Sequence, residues 1–448
     1  MAIHPIETRY GRGEVKRIFS EEGKLQKMLE VEVALAKAHA ELGNIPKDAA
    51  AEIERIAKEN KVKLSRIKEI EREINHDVMA FVKAFAEACG DAGKYIHLGA
   101  TSNDILDTAL ALQLKDFISF LEEDLLKLKR TLLRIAKEKK TLVCVARTHG
   151  QHALPTTYGL KFAIFAAEVH RHIQRLEEIK KRILVGKMSG AVGTQAAFGA
   201  KGIEIQKRVM NHLGLKPALV SNQVLQRDRH AEFIFLLALI SQTLSKIALE
   251  IRNLQRSEID EVREHFVKEK QVGSSTMPHK RNPIIAERIC GLSRVIKASV
   301  IPALDNIPLW HERDLTNSSC ERIIIPETCI LTDYILNLTI KLLENLDFNE
   351  EAIRKNLELS KGRIMAEAVM IKLVERGMGR QDAHELVRKI AILSEESNIS
   401  FKEALLNNRE ITRYLKPDEI EEILKPENYI GTAVKQVEEL IKLMGDEN

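Results

Sequence analysis

Two stretches limit the folds open to this chain more than anything else in it. From Asp104 to Lys140 there is no Gly or Pro, and Leu110, Leu114, Phe117, Leu121, Leu125, Leu128, Leu132 and Ile135 recur at steps of three and four. That is the period of an apolar face on one long helix. From Asp228 to Phe266 the pattern repeats with Phe233, Leu237, Ile240, Leu244, Ile247, Ile251 and Leu254, while Ile234, Leu236, Leu239 and Leu249 add apolar surface on other sides. A helix apolar over so much of its circumference has to be surrounded by others. At about 1.5 Å per residue the second stretch would run on the order of 55–60 Å, longer than one compact domain needs, and a bundle shared between subunits is its natural home.

Further helices are predicted over residues 160–185, 284–300 and 321–346, the last bent at Pro326. The flanks are more heavily punctuated. An amphipathic stretch from Lys24 to Leu42 ends at Gly43, Asn44 and Pro46, and the tail beyond Asn349 is broken by Gly377, Gly379, Pro417 and Pro426. Thr141–Ala146 alone is rich in β-branched residues. The expected architecture is all-α, with a small helical domain over 1–101, a central long-helix bundle over 102–348 and a third helical domain over 349–448.

Charge excludes some partners. The 69 basic and 65 acidic side chains are scattered and leave a net +4, so no basic stripe points to nucleic acid. The five cysteines, Cys89, Cys144, Cys290, Cys320 and Cys329, are odd in number and lack CxxC spacing, which argues for reduced thiols and against a zinc site. No apolar signal segment or run of eighteen uncharged apolar residues is present. The expectation is a cytoplasmic protein with no membrane partner.

Against this background Gly273-Ser274-Ser275-Thr276-Met277-Pro278-His279-Lys280-Arg281-Asn282-Pro283 stands out as a polar, small-residue loop. Gly273 allows close backbone approach to a ligand, the hydroxyls supply donors, and Lys280 and Arg281 bring positive charge to the start of a helix. Asn282 suits an N-cap and Pro283 a first helical position, so the N–H groups there and Lys280 form a ready anion site. The same composition also suits a mobile connector.

Three other stretches carry chemistry. Arg147-Thr148-His149-Gly150-Gln151-His152 places a histidine in a polar loop with no apolar face to fill, a fit candidate for a general acid or base. His149 and His152 lack a carboxylate or Cys at ligand spacing, and HExxH is absent, so no metal is expected. Thr101-Ser102-Asn103-Asp104 opens the first long helix, where hydroxyls cap the helix and can also hold a carboxylate. Trp310-His311-Glu312-Arg313-Asp314, followed by Ser318, Ser319 and Arg322, suits a phosphate or, equally, a solvated charge cluster.

The eleven-residue loop closely resembles the signature of the fumarase/aspartase superfamily, whose members eliminate fumarate from succinyl-bearing substrates. Within it, the match of Arg9-Tyr10, Asn75-His76-Asp77, His97 to Asp104, Arg147 to Gln151, Gln223, Gln226 to His230 and Trp310 to Arg322 is similar to the adenylosuccinate lyase family. That resemblance implies cleavage of adenylosuccinate to AMP and fumarate, and of the succinyl-carboxamide imidazole ribotide, without a cofactor. It implies a base at Ser274, carbanion stabilisation by Lys280, a general acid at His149 and its orientation by Glu287. His76 and His97 would help hold the substrate, and Thr101, Ser102, Gln223 and Asn282 would bind its succinyl portion. Arg9, Tyr10, Arg313, Ser318 and Arg322 would hold the phosphate, with Asp77, Ser275 and Met277 as further binding positions. It also implies a homotetramer whose sites are shared between subunits. Two other readings are a 3-carboxymuconate cycloisomerase of the same superfamily, whose substrate lacks a phosphate, and a non-catalytic, crystallin-like structural oligomer.

Overall fold

The computed structural model describes residues 4–265, 276–277 and 279–445. In chain order the helices before the first long one are α1 (Pro5–Thr8), α2 (Gly13–Phe19), α3 (Glu21–Glu41), α4 (Lys47–Lys58), α5 (Leu64–Ile74) and α6 (Asp77–Cys89). Then come α7 (Ser102–Glu138), the strands β1 (Val143–Thr148) and β2 (Gln151–Thr157), α8 (Tyr158–Ile183), β3 (Val185–Gly186), α9 (Gly202–Leu213), β4 (Lys216–Pro217) and α10 (Asp228–Leu254). Next in the chain are β5 (Val262–Glu264), α11 (Ile284–Ala298), α12 (Val300–Asp305), α13 (Thr316–Glu344) and β6 (Leu346–Phe348). The tail consists of α14 (Glu350–Glu358), α15 (Ala366–Glu375), α16 (Arg380–Glu396), α17 (Phe401–Leu406), α18 (Arg409–Tyr414), α19 (Pro417–Ile423) and α20 (Ala433–Gly445).

The chain divides into two compact units, residues 1–125, 172–244 and 291–337, and residues 126–171, 245–290 and 338–448. In the first, α3 is held between α4 and α9 and buries Leu25, Leu29, Val31 and Leu35 in a core shared with Ile53, Phe81, Phe85 and Val209. The Ser20 hydroxyl starts α3 by accepting from the Gly23 N–H at 3.0 Å, and Gly43, at φ 73°, comes just after its end, as left-handed backbone favours glycine after a helix. In the second unit Leu373, Phe401, Leu405, Ile411 and Ile420 form the core of the tail helices.

The helices expected over 104–140 and 160–185 are α7 and α8. The one expected to run to Phe266 is shorter: α10 stops at Leu254 after 27 residues, about 40 Å rather than 55–60 Å. Beyond it the chain turns at Asp260, whose φ is 54°, into β5, which pairs antiparallel with β6 in the register Val262↔Phe348 to Glu264↔Leu346. A strand whose partner lies more than 80 residues away leaves no local period to read. α13 begins at Thr316, ahead of the expected Glu321, so Ser318 and Arg322 lie one helical turn apart on one face.

α10 and α13 are long and apolar enough to span a membrane by length and composition, and in each 61% of the most apolar window is buried within the protein, as in core helices. Cys89, Cys144, Cys290 and Cys329 are buried and Cys320 half-buried, all as free thiols.

Polar contacts tie the first unit together. Arg227, just before α10, donates to both Asp107 carboxylate oxygens at 2.9 Å and to Glu321 of α13 at 2.9 Å. Asp107 also accepts the Leu225 N–H at 2.8 Å. Burial opposes the Asp107 charge, but Arg227 outweighs it and brings the carboxyl down to about 2. One turn into α10, the buried His230 ring is pushed the other way: burial and then the Arg227 charge lower it to about 3.

His230 therefore stays neutral in the fold where the unfolded chain, near 6.5, takes up a proton. The stability it contributes is complete above pH 6.5 and is lost as pH falls towards 3, at about 1.4 kcal/mol per pH unit. Denaturant titrations between pH 7 and 4.5 should show a slope smaller by about one proton in His230→Gln than in the wild type. Equal slopes would contradict the assignment.

Candidate functional site

In the first unit a cavity of about 170 Å³ opens between α3, α7 and α13, with Arg313, Ser318 and Arg322 in its wall. Each cation is fixed from behind. Arg313 donates to Asn103 Oδ1, and Asn103 in turn donates to Asp107 at 3.3 Å, so the Arg227–Asp107 pair positions Arg313 through one amide. Burial lowers the Arg313 pKa, the mark of a cation short of counter-charge. Arg322 donates to Asp77 Oδ2 at 2.6 Å. Burial opposes the Asp77 charge, but the Val78 N–H and Arg322 hold its carboxyl below the ordinary value.

Other expected binding residues are spread around the first unit. Arg9 is exposed, while Tyr10 packs its ring 5.4 Å from Tyr334. His76 caps α6, accepting from the Met79 N–H at 3.2 Å. His97 sits at φ 63°, and its Nδ1 and N–H meet the buried Glu32 carboxylate at 2.6 and 3.0 Å. Burial opposes the charged imidazole, but Glu32 prevails and raises its pKa. Thr101 precedes α7 and Ser102 begins it, with the Thr101 N–H donating to Asp104 at 2.9 Å. Gln223 donates to the Ala191 carbonyl at 2.7 Å.

In the second unit His149 has a more definite setting than a loop. Thr148 pairs with Gln151, and His149 and Gly150, at φ 53° and 76°, form the two-residue turn of the β1–β2 hairpin. Left-handed backbone at both turn residues matches the twist of paired strands, and it leaves the imidazole exposed at the tip. Behind it, Arg147 donates to the buried Glu261 at 2.5 Å, and Tyr158 also donates to Glu261. Burial, and then Arg147, lower the pKa of the neighbouring His152.

A separate cleft of this unit gathers Met277, Lys280, Asn282 and Glu287, with His279 and Arg281 beside them. Ser274 and Ser275 lie outside the described residues. The helix expected at Asn282–Pro283 begins one residue later, and the anion site expected there is already filled. Glu264 of β5 accepts the Ile285 N–H at 3.2 Å and the Ala286 N–H at 2.6 Å. Burial raises the Glu264 pKa against the pull of these two donors. A strand end that delivers a carboxylate to a helix start is a tertiary pairing that no local motif announces. Gln255 ties the same place together, accepting the Glu264 N–H at 2.9 Å and donating to the Arg281 carbonyl at 3.2 Å.

Comparison with known proteins decides among chemistries that such sites could serve. A family described as Lyase matches residues 10–297, and one described as Adenylosuccinate lyase C-terminus matches residues 362–440. The chain is 58% identical to the adenylosuccinate lyase of Methanocaldococcus jannaschii over 99% of its own length and 96% of that relative's. The chain belongs to the adenylosuccinate lyase family. The Aquifex aeolicus adenylosuccinate lyase is 44% identical, covering 98% of this chain and 99% of that one.

Among solved structures, a fumarate lyase from a Mesorhizobium species superposes with TM-score 0.90 at 30% identity over 100% of both chains. A 3-carboxy-cis,cis-muconate lactonizing enzyme from Pseudomonas putida does so with TM-score 0.90 at 32% identity over 98% of both. The fold is thus the helical, multi-domain fold of the fumarase/aspartase superfamily, and the protein is a lyase. Adenylosuccinate lyase relatives at 44–58% identity outrank the cycloisomerase and crystallin-like alternatives.

Glu264 generates a stability prediction. Glu264→Ala leaves the Ile285 and Ala286 N–H groups without their carboxylate and should cost about 1–2 kcal/mol, while Glu264→Gln, which keeps one acceptor, should cost less. Chemical denaturation of the three proteins measures both differences, and an unchanged Glu264→Ala midpoint would refute the capping role.

Proposed function

We propose that the chain eliminates fumarate from adenylosuccinate to give AMP, and from succinyl-aminoimidazole-carboxamide ribotide to give the free carboxamide, in cytoplasmic purine nucleotide biosynthesis. The observation that carries this reading is the match to adenylosuccinate lyases over 96–99% of both lengths in each case cited. The Arg313, Ser318 and Arg322 wall suits a phosphate, which a muconate lacks.

The chemistry is dictated by the demands of the reaction. Removing a weakly acidic proton beside a carboxylate builds negative charge there, which must be met by positive charge already in place. Lys280 supplies it. Ser274 is the base, and His149 is the acid that protonates the leaving nitrogen, a role open to an imidazole. Glu287 orients His149. His76, Asp77, His97, Thr101, Ser102, Gln223, Ser275, Met277 and Asn282 hold the succinyl and base portions, and Arg9 and Tyr10 join the phosphate wall. No cofactor enters.

The active form is a homotetramer whose long helices, within residues 102–348, form a shared bundle flanked by the smaller helical domains 1–101 and 349–448. Support comes from the apolar surface those helices leave outward. Phe235 and Leu249 of α10 are 51% and 50% exposed, and Ile301 of α12 67%, an arrangement that suits burial against other copies. Such a bundle leads to sites that draw His149 from one chain and Ser274 from another.

Loss of absorbance on incubation with adenylosuccinate tests the reading directly, and absence of turnover would overturn it. Ser274→Ala should lower kcat by at least about a thousandfold while the KM changes little; a dispensable Ser274 with an essential Ser275 would move the base. If His149→Gln and Ser274→Ala proteins, each inactive, are dissociated and reassembled together, about one site in four regains both groups in a symmetric tetramer. Activity should recover to that fraction. Mixed tetramers that form and stay inactive would place both groups on one chain.

A further inference from the structure

The cavity that holds Arg313, Ser318 and Arg322 has another wall residue that no motif singles out: Lys24, in the first turns of α3. Its surroundings are unusual for a lysine. The side chain is half-buried, and among the described residues it makes no hydrogen bond and no ion pair, although enclosed lysines are ordinarily paired. Burial, and then the Arg322 guanidinium, push its pKa down, while Asp77 provides the strongest opposing attraction. Asp77 is itself engaged by Arg322 at 2.6 Å.

The other charges of the cavity are accounted for differently. Arg227 is matched by Asp107 and Glu321, and Arg322 by Asp77. Arg313 meets the neutral Asn103 Oδ1 and has no carboxylate at ion-pairing distance among the described residues. Lys24 and Arg313 are therefore the two cations of this wall left without a carboxylate, and Ser318 lies in the same wall. A desolvated ammonium next to a guanidinium is held at a cost that an incoming dianion removes.

We propose that Lys24 is a further cation of the subsite that takes the substrate's phosphate, acting on the phosphate oxygens with Ser318 and Arg322 and discriminating nucleotides from nucleosides. This rests on the function proposed above. Arg322 offers a planar fork, whereas Lys24 offers a point charge on a flexible stem that can track the oxygens as the ligand seats.

Calorimetric titration of the intact protein with AMP and with adenosine tests the proposal. Lys24→Met should weaken AMP at least about tenfold and adenosine no more than about twofold. Lys24→Arg should restore most of the AMP affinity. The KM for adenylosuccinate should rise in Lys24→Met with kcat nearly unchanged, and its thermal midpoint should equal or exceed that of the wild type, because an unpaired enclosed charge has gone. AMP affinity unchanged in Lys24→Met, or AMP and adenosine weakened in equal proportion, would overturn the assignment. A wild type that binds AMP but does not turn over adenylosuccinate would instead overturn the proposed reaction, and the AMP titration would still judge Lys24.

Discussion

A buried guanidinium shared by two carboxylates sets the terms for the rest of the first unit. Arg227 and Asp107 are both 3% exposed and Glu321 11%, so three charges have given up most of their water and depend on one another. Such a cluster adds little over a well-packed apolar core, but removing one member leaves an uncompensated charge and costs about 3–5 kcal/mol. It also joins parts of the chain that are far apart: Asp107 on α7, the residues leading into α10, and α13. The same carboxylate that neutralises Arg227 receives Asn103, and Asn103 receives Arg313. The geometry of a cation in the cavity wall thus depends on a structural ion pair behind it. Charge is distributed unequally within the cluster. Asp107 is held ionised at about 2, whereas burial raises Glu321 despite its own bond to Arg227.

Two of the candidate positions carry backbone conformations that their residue types rarely adopt. His97 and His149 both have positive φ, a state that costs a β-carbon-bearing residue of order 1 kcal/mol. In each case the surroundings over-determine the strain. Glu32 grips the His97 ring and its N–H together, and two paired strands leave His149 no other way to close the turn. Strain held in this way fixes where an imidazole stands, which a general acid or a substrate ligand requires. At the start of α11 the protein's own carboxylate occupies the helix N-terminus, so that anion-attracting end positions Glu264 and the strand carrying it instead of a substrate group.

The fold alone does not choose the reaction. Proteins described as a fumarate lyase and a muconate lactonizing enzyme superpose on this chain about equally well, at 30–32% identity. They share the fold because the fold answers to apolar periodicity, and many polar sites can be set on it. Here the wall of Arg313, Ser318, Arg322 and Lys24 is the part that suits a phosphate-bearing substrate.

Much of this was legible in the residues. An unbroken run of apolar side chains at steps of three and four dictates a long helix wherever it occurs, because only a helix brings them to one face, and α7 and α8 appear where the spacing put them. The short motifs announced Arg313, Ser318 and Arg322 as a group and His149 as an imidazole in a polar loop, since polar residues among long apolar helices have no packing role to fill. Residue order could not disclose which groups meet across the chain. α10 ends well short of Phe266 because β5 finds β6, His149 rides on a hairpin because Val143–Thr148 finds Gln151–Thr157, and Glu264 takes the N–H groups that a ligand had been expected to take. Lys24 carries no local signal at all: it is one lysine among the 69 basic residues until packing encloses it beside Arg322. Local periodicity settles elements, because their hydrogen bonds close within a few residues. Sites and their electrostatics are settled by burial and long-range pairing, which exist only once the chain has folded.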